Sequence, residues 1–337
     1  MEVTIYDIAK AADVSITTIS KILNNKDQDI SEKTREKVLN IMNEMNYKPN
    51  AVARSLVTKK TNVIGLLIPD ISNPYFSEMA RGVEDGVNRF GFNVVFCNTD
   101  ENQEKELEYL QILQEKGMDG IIFVPIAESY YDFIKDIKNK SQKPFVVLDR
   151  VYENADKKVG QVVFNNVMGG YLATKYLIDK GHRRIGCVTG SRYNKSSIDR
   201  LNGYKKALQE ADINFDPSVI FEGDYRYNSG VASGRFFEKS DVTAIFIEND
   251  IMASGVYRTF NECGIKIPDD ISIVGYDDIN LSLILNPPLT TILQPKLEMG
   301  EKAGEMLARM IQGEKTDLFI EYEPKLIERG STKSLKG

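Results

Sequence analysis

Two stretches of this chain of 337 residues repeat one order of apolar strand and helix, and that order limits the folds open to it. The first runs 63-VIGLLI-68, a helix near Tyr75–Phe90, 93-NVVFCN-98, a helix over 104-EKELEYLQILQEKG-117 and 120-GIIFVP-125. The second runs 184-RIGCVTG-190, a helix over Arg200–Ala211, 219-VIFEG-223, a helix over 229-SGVASGRFFEK-239 and 243-TAIFIEN-249. Strands this uniformly apolar are covered on both faces, which means parallel sheets flanked by helices. The expected body is therefore α/β, two doubly wound parallel-sheet lobes, with a ligand beyond the carboxyl ends of the strands.

Those ends carry groups suited to a polar ligand. Asn73, Tyr75 and Phe76 follow the first strand, and Asp149 and Arg150 end 145-FVVLDR-150. In the second repeat Arg200 stands in 199-DRLNGY-204, Tyr225 closes 219-VIFEGDY-225 and Asn249 ends 243-TAIFIEN-249. Asp277 lies in 271-ISIVGYDD-278, and Gln294 in 291-TILQPK-296. Carboxylates, amides and guanidinium groups give bidentate, charge-assisted hydrogen bonds to neighbouring hydroxyls, while aromatic rings cover apolar C–H faces. Singly, Asp277-Asp278 reads as a turn and Asp149-Arg150 as a surface ion pair. Their recurrence at successive strand ends argues for one small-molecule cleft.

Ahead of the body come sixty residues of another kind. In 5-IYDIAKAADV-14 the apolar residues Ile5, Ile8, Ala9 and Ala12 fit a short helix. Ser15 is an N-cap for 15-SITTISKILNN-25, with Ile19, Ile22 and Leu23 on one face, and Ser31 caps 31-SEKTREKVLNIMNEMNY-47. The three form an all-α helix-turn-helix unit. The start and outward face of the second helix offer Ser15, Ile16, Thr17, Thr18, Ser20 and Lys21, with small hydroxyls and methyls of the kind that enter a major groove. Residues 1–60 hold ten Lys/Arg against eight Asp/Glu, or +2, while the remainder holds 33 against 41, or −8. Pro49 ends the third helix, and Asn50 then caps 51-AVARSL-56, a segment too short to be a stable helix alone.

TIYDIAKAADVSITTISKILNN, SEKTREKV and YKPNAVARSL resemble the DNA-binding head and hinge of the lactose/galactose repressor family, and the similarity runs along essentially the whole chain. The resemblance implies a head at 1–47, a hinge helix and linker at 48–60, and a periplasmic-binding-protein-like body. Its N-terminal lobe would be 61–160 plus 292–321, its C-terminal lobe 161–291 plus 322–332. It implies that Ile16, Thr17 and Lys21 read bases and that Tyr6, Ser15, Ser20 and Asn24 hold phosphates. Asn50 and Ala53 would lie near the minor-groove floor, with Leu56 wedged into a base step. Asn73, Tyr75, Phe76, Asp149, Arg150, Arg200, Asn249, Asp277 and Gln294 are similar to the ligand shell of ribose-type sugar-binding proteins. Purine-responsive relatives share NPYF and the GYDD aspartate. The stretch 97-CNTDENQEKELEYLQ-111 is similar to catabolite control proteins, which take a phosphorylated carrier protein as corepressor, but their cleft lacks the LDR pair kept here.

Enzyme signatures are missing: there is no GxxxxGKS/T, GxSxG or HExxH, and the one histidine, His182, sits in a GHRR turn suited to a structural or surface role. Cys97, Cys187 and Cys263 form no CxxC. The reading is a repressor in the bacterial cytoplasm, at the nucleoid, with no cofactor, metal or membrane anchor. Its partners are a pseudo-palindromic operator, a monosaccharide or sugar phosphate, and a second copy of itself. The end 331-STKSLKG-337 lacks a leucine heptad, so a dimer is expected rather than a tetramer.

Overall fold

The structure, a computed structural model, describes residues 3–23, 27–47, 60–125, 143–151 and 158–336. The chain divides into a head unit, 1–61, and a body unit, 62–337. Asn24 and residues 48–59, the latter containing Asn50, Ala53 and Leu56, lie outside the described residues.

Three helices make the head: α1 (Ile5–Ala12), α2 (Ile16–Leu23) and α3 (Glu32–Glu44). A capping box of Thr4 and Asp7 opens α1, and Asp13 closes it with left-handed φ of 53°. Ser15 Oγ accepts the Thr18 N–H at 3.1 Å and Ser31 Oγ that of Thr34 at 3.2 Å, so both expected caps form. Ile8, Ala12, Ile19, Ile22 and Val38 meet in a core that is closed to solvent.

In the body, β1 (Val63–Ile68), β2 (Asn93–Asn98), β3 (Gly120–Phe123), β4 (Phe145–Asp149) and β5 (Gly160–Phe164) alternate with α4 (Pro74–Asn88) and α5 (Gln103–Glu115). Then α6 (Asn166–Asp179) leads into β6 (Ile185–Thr189), α7 (Lys195–Glu210), β7 (Ile220–Glu222), α8 (Tyr227–Phe237), β8 (Ala244–Ile247), α9 (Asp250–Cys263) and β9 (Ser272–Asp277). The chain finishes with α10 (Leu281–Ile284), β10 (Thr290–Leu293), α11 (Lys296–Gln312), β11 (Phe319–Tyr322) and β12 (Lys325–Ile327). The first sheet is ordered β11-β5-β4-β3-β1-β2 and is parallel throughout. The second is β12-β10-β9-β8-β6-β7, parallel except where β12 runs against β10. Setting the edge strands β11 and β12 aside, both lobes have the order 2-1-3-4-5, so the repeat in the sequence is a repeat of topology. Each sheet reverses its winding between its first and third strands, and that opens a crevice at their carboxyl ends.

The chain passes between lobes after Phe164, between Leu293 and Lys296, and between Tyr322 and Lys325. The boundaries expected near 160 and 291 fall inside β5 and β10 and move to the ends of those strands. Helix α7 also starts five residues before the expected Arg200, because Asn194 caps it through the Ser196 N–H at 3.1 Å. On the first lobe α11 crosses α4 so closely that a Cβ on Gly300 would lie 2.1 Å from the Met79 carbonyl oxygen. His182 is buried; its Nδ1 lies 2.9 Å from Thr243 Oγ1 and its Nε2 3.2 Å from the Lys333 carbonyl.

Candidate ligand cleft and nucleic-acid interface

At the end of β1, Asn73 caps α4 by accepting the Tyr75 N–H at 2.9 Å, with Pro74 in the first turn. The cap sets Tyr75 and Phe76 edge to face, centroids 5.0 Å apart, at the mouth of the crevice. The Tyr75 hydroxyl donates to Asp149 Oδ1 and lies 3.1 Å from Gln294 Oε1. Beyond β4, Arg150 donates from Nε to Ser196 Oγ at 3.0 Å and from Nη1 to the Pro125 carbonyl at 2.7 Å. The first of these bonds reaches across to the other lobe.

From the second lobe, Arg200 is fixed by Asn166 Oδ1 at 2.8 Å and the Glu248 carbonyl at 2.6 Å, and lies over the Tyr276 ring at 3.8 Å. Burial opposes its charge, yet Tyr276, Tyr225, Asp277 and Glu248 around it keep its pKa above the ordinary arginine value. Asp277 accepts Gln294 Nε2 at 2.7 Å through one oxygen. Burial pushes its carboxyl up to about 7, against the pull of Arg200 and Lys296. Behind it Asp250, its pKa raised well above the usual range by burial, accepts the Tyr276 and Ile279 N–H groups at 2.9 and 3.0 Å.

These side chains enclose a cavity of about 520 Å³ including its mouth, lined by Asn73, Tyr75, Phe76, Asp149, Arg150, Arg200, Tyr225, Asn249 and Asp277. Nine of the ten residues expected from the sequence therefore come together. The tenth, Gln294, is fully buried and holds Tyr75 and Asp277 from behind. Asn249 is bound at both ends of its amide, to the Met252 N–H and the Tyr225 carbonyl, each at 2.9 Å, so it shapes the wall as well as lining it. Asp149, Tyr225 and Asp277 have φ of 75°, 64° and 106°, conformations that cost a non-glycine residue about 1–3 kcal/mol each. Three residues so constrained, from β4, β9 and the loop after β7, line this one cavity.

Sequence reasoning missed Asp70, Glu101, Ser196, Asp224 and Arg226, which also line the cavity. Asp70 and Asp224 were within reach of the same strand-end rule, one closing VIGLLIPD and the other preceding Tyr225. Glu101, Ser196 and Arg226 carry no such signal, since each is placed by a loop or a helical turn whose path only the fold defines.

On the head, Tyr6 of α1 is exposed; Ser15, Ile16 and Thr17 are exposed, and Ser20 and Lys21 half-exposed, at the start and outer face of α2. Lys21 forms an ion pair with Asp29. Residues 4–50 match the model of bacterial regulatory proteins of the lacI family, and 174–332 that of the periplasmic binding protein-like domain. The ribose operon repressor of Haemophilus influenzae is 39% identical over 338 residues, covering 99% of each chain. The chain belongs to the LacI family.

It is thus a DNA-binding transcriptional regulator with a helix-turn-helix head and a two-lobed effector body. The crystal structure of the Lac repressor dimer bound to operator and an anti-inducer covers 99% of this chain and all of its own, with TM-score 0.87 and 29% identity. A LacI-family regulator from Enterococcus faecium with bound ribose covers 81% of this chain and all of its own, with TM-score 0.74 and 34% identity. Among the described residues no helix is long and apolar enough to cross a membrane.

Proposed function

We propose that this regulator is a repressor of carbohydrate-use genes, that it acts as a homodimer on a pseudo-palindromic operator, and that a ribose-like monosaccharide in the cleft controls it. The observation that carries the reading is the convergence of Tyr75, Asp149 and Arg150 from one lobe with Arg200 and Asp277 from the other on one cavity. Carboxylates accept from vicinal hydroxyls, guanidinium groups donate to them, and the rings of Tyr75, Phe76 and Tyr225 meet the C–H faces. A ligand touching both lobes favours the closed arrangement, because the open one lacks half of its contacts. Support also comes from the ribose operon repressor and the ribose-bound regulator among its relatives.

In this reading closure moves the N-terminal lobes across the dimer and so changes the spacing of the hinges that contain Leu56. Ile16, Thr17 and Lys21 read bases, and Tyr6, Ser15, Ser20 and Asn24 hold phosphates, with Asn50, Ala53 and Leu56 in the minor groove. A thermal-shift panel of pentoses, hexoses, their phosphates and purines tests the effector, since only a ligand of the native state raises Tm. The reading expects D-ribose or a close pentose to give the largest shift. A shift given by a purine alone would overturn it.

A further inference from the structure

The C-terminal lobe grips Tyr225 by both ends. Its carbonyl accepts Asn249 Nδ2 at 2.9 Å, and its hydroxyl donates to Glu248 Oε2 at 3.2 Å. Glu248 and Asn249 are consecutive residues in the turn from β8 to α9. The same Oε2 accepts the Gly190 N–H at 2.8 Å. Tyr225 lies so close over Gly190 that a Cβ there would come within 2.2 Å of its ring. One carboxyl oxygen therefore joins the end of β6 to the aromatic wall of the cleft. Glu248 is fully buried, and among the described residues its Oε1 is the buried side-chain oxygen left without a hydrogen-bond partner. Packing alone does not call for an acid here, because a buried charge is costly unless it is used.

We propose that Glu248 is a specificity-determining positioning residue: its carboxylate fixes the Tyr225 ring against Gly190 and so sets the wall that meets the ligand's apolar face. Glu248 touches no ligand itself and acts through Tyr225. The groups facing it are Cys187 from β6, Gly190 just after it, Ser197 and Arg200 from α7, Tyr225 from the loop after β7, and Tyr276 from β9. Burial pushes the carboxyl up to about 7 against the pull of Arg200, the Gly190 N–H, Ser197 and Tyr225. As pH falls through that value a proton goes to the unpartnered Oε1. Oε2 then accepts only as a neutral carbonyl oxygen, so its bond to the Tyr225 hydroxyl weakens while the Asn249 bond is unchanged.

The effect on the wall stands apart from the effector's identity, whereas the effect on affinity rests on the sugar reading above, so the test has two arms. In the first, the full chain is labelled with 3-fluorotyrosine and the Tyr225 fluorine signal is assigned by its loss in Tyr225→Phe. The wild-type signal should titrate with a midpoint near 7. Glu248→Gln, which keeps an acceptor but cannot ionise, should remove that titration and leave the line sharp, and Glu248→Ala should broaden it. A wild-type signal that does not titrate, or the same titration in Glu248→Gln, would overturn the proposal. In the second arm, calorimetry with D-ribose should find Glu248→Ala roughly 2–12-fold weaker than wild type at pH 8, because the freed Tyr225 ring must then be ordered on binding. Glu248→Gln should fall between them and show less weakening at pH 6 than wild type. Wild-type affinity in Glu248→Ala would also overturn the proposal. If D-ribose fails to bind wild type, the sugar reading falls and the fluorine titration decides this one.

Discussion

Asp277→Asn should make the unliganded protein more stable while making it a poorer receptor. Burial raises the Asp277 carboxyl from 3.8 to about 7. Below pH ~4 the group is protonated in both folded and unfolded chains and contributes no difference. As pH rises toward 7 the unfolded chain releases its proton first, so the folded state loses stability, and above 7 the deficit is constant. A displacement of this size corresponds to about 4 kcal/mol at most. The asparagine amide keeps the shape, and its oxygen still accepts Gln294 Nε2, but it never ionises. In a body of this size ~1 kcal/mol moves Tm by roughly 2–4 °C, so the variant should melt higher at pH 8, by up to roughly 8–16 °C, with the gain vanishing near pH 4. Toward the ligand the change has the opposite sign, because the amide nitrogen meets a hydroxyl that had a charged acceptor. Losing that bond costs about 1.5–3 kcal/mol, or roughly 10–150-fold in Kd. Scanning fluorimetry across pH and calorimetry with the effector read the two quantities separately. An unchanged or lower Tm at pH 8 together with an unchanged Kd would refute both the burial argument and the ligand contact.

Three other perturbations probe other parts of the molecule. Arg200→Lys should weaken the effector at least tenfold by calorimetry, because one ammonium cannot bond Asn166 and the Glu248 carbonyl and also lie over Tyr276. Gly300→Ala should lower stability by about 1–3 kcal/mol in denaturant titrations, since its Cβ would meet the Met79 carbonyl across the α4–α11 crossing. Leu56→Ala should weaken specific operator binding in gel-shift titrations and leave effector affinity unchanged; equal operator affinity would dismiss the proposed wedge.

The body was legible in the sequence because parallel strands buried on both faces are uniformly apolar, and the repeat then gave two lobes and their strand-end residues. The helices α6, α9 and α11 were not read from the pattern. Each buries residues on more than one side, such as Met252, Ala253, Gly255 and Tyr257 of α9, which blurs a single apolar stripe. The start of α7 was hidden because its first turn, Lys195-Ser196-Ser197, is polar and its cap Asn194 resembles a loop residue. Gln294 was expected as a ligand contact because it stands at a crossover. Its position behind Tyr75 and Asp277 depends on how the second crossing packs, and no local pattern encodes that. Glu248 was passed over for a similar reason: an acid ending an apolar strand is usually exposed, and only the fold turns it inward beneath Tyr225.

The central claim is that occupancy of the cleft changes the affinity of the head for DNA. The direct measurement is the Kd of the full-length dimer for an operator selected from a random duplex pool, titrated with and without saturating effector at fixed salt. Couplings between two sites are typically about 1–3 kcal/mol, so the account predicts a change of roughly 5–150-fold, lost in Asp277→Asn at effector concentrations that no longer fill its cleft. An operator Kd that stays the same while calorimetry reports a full cleft would contradict it.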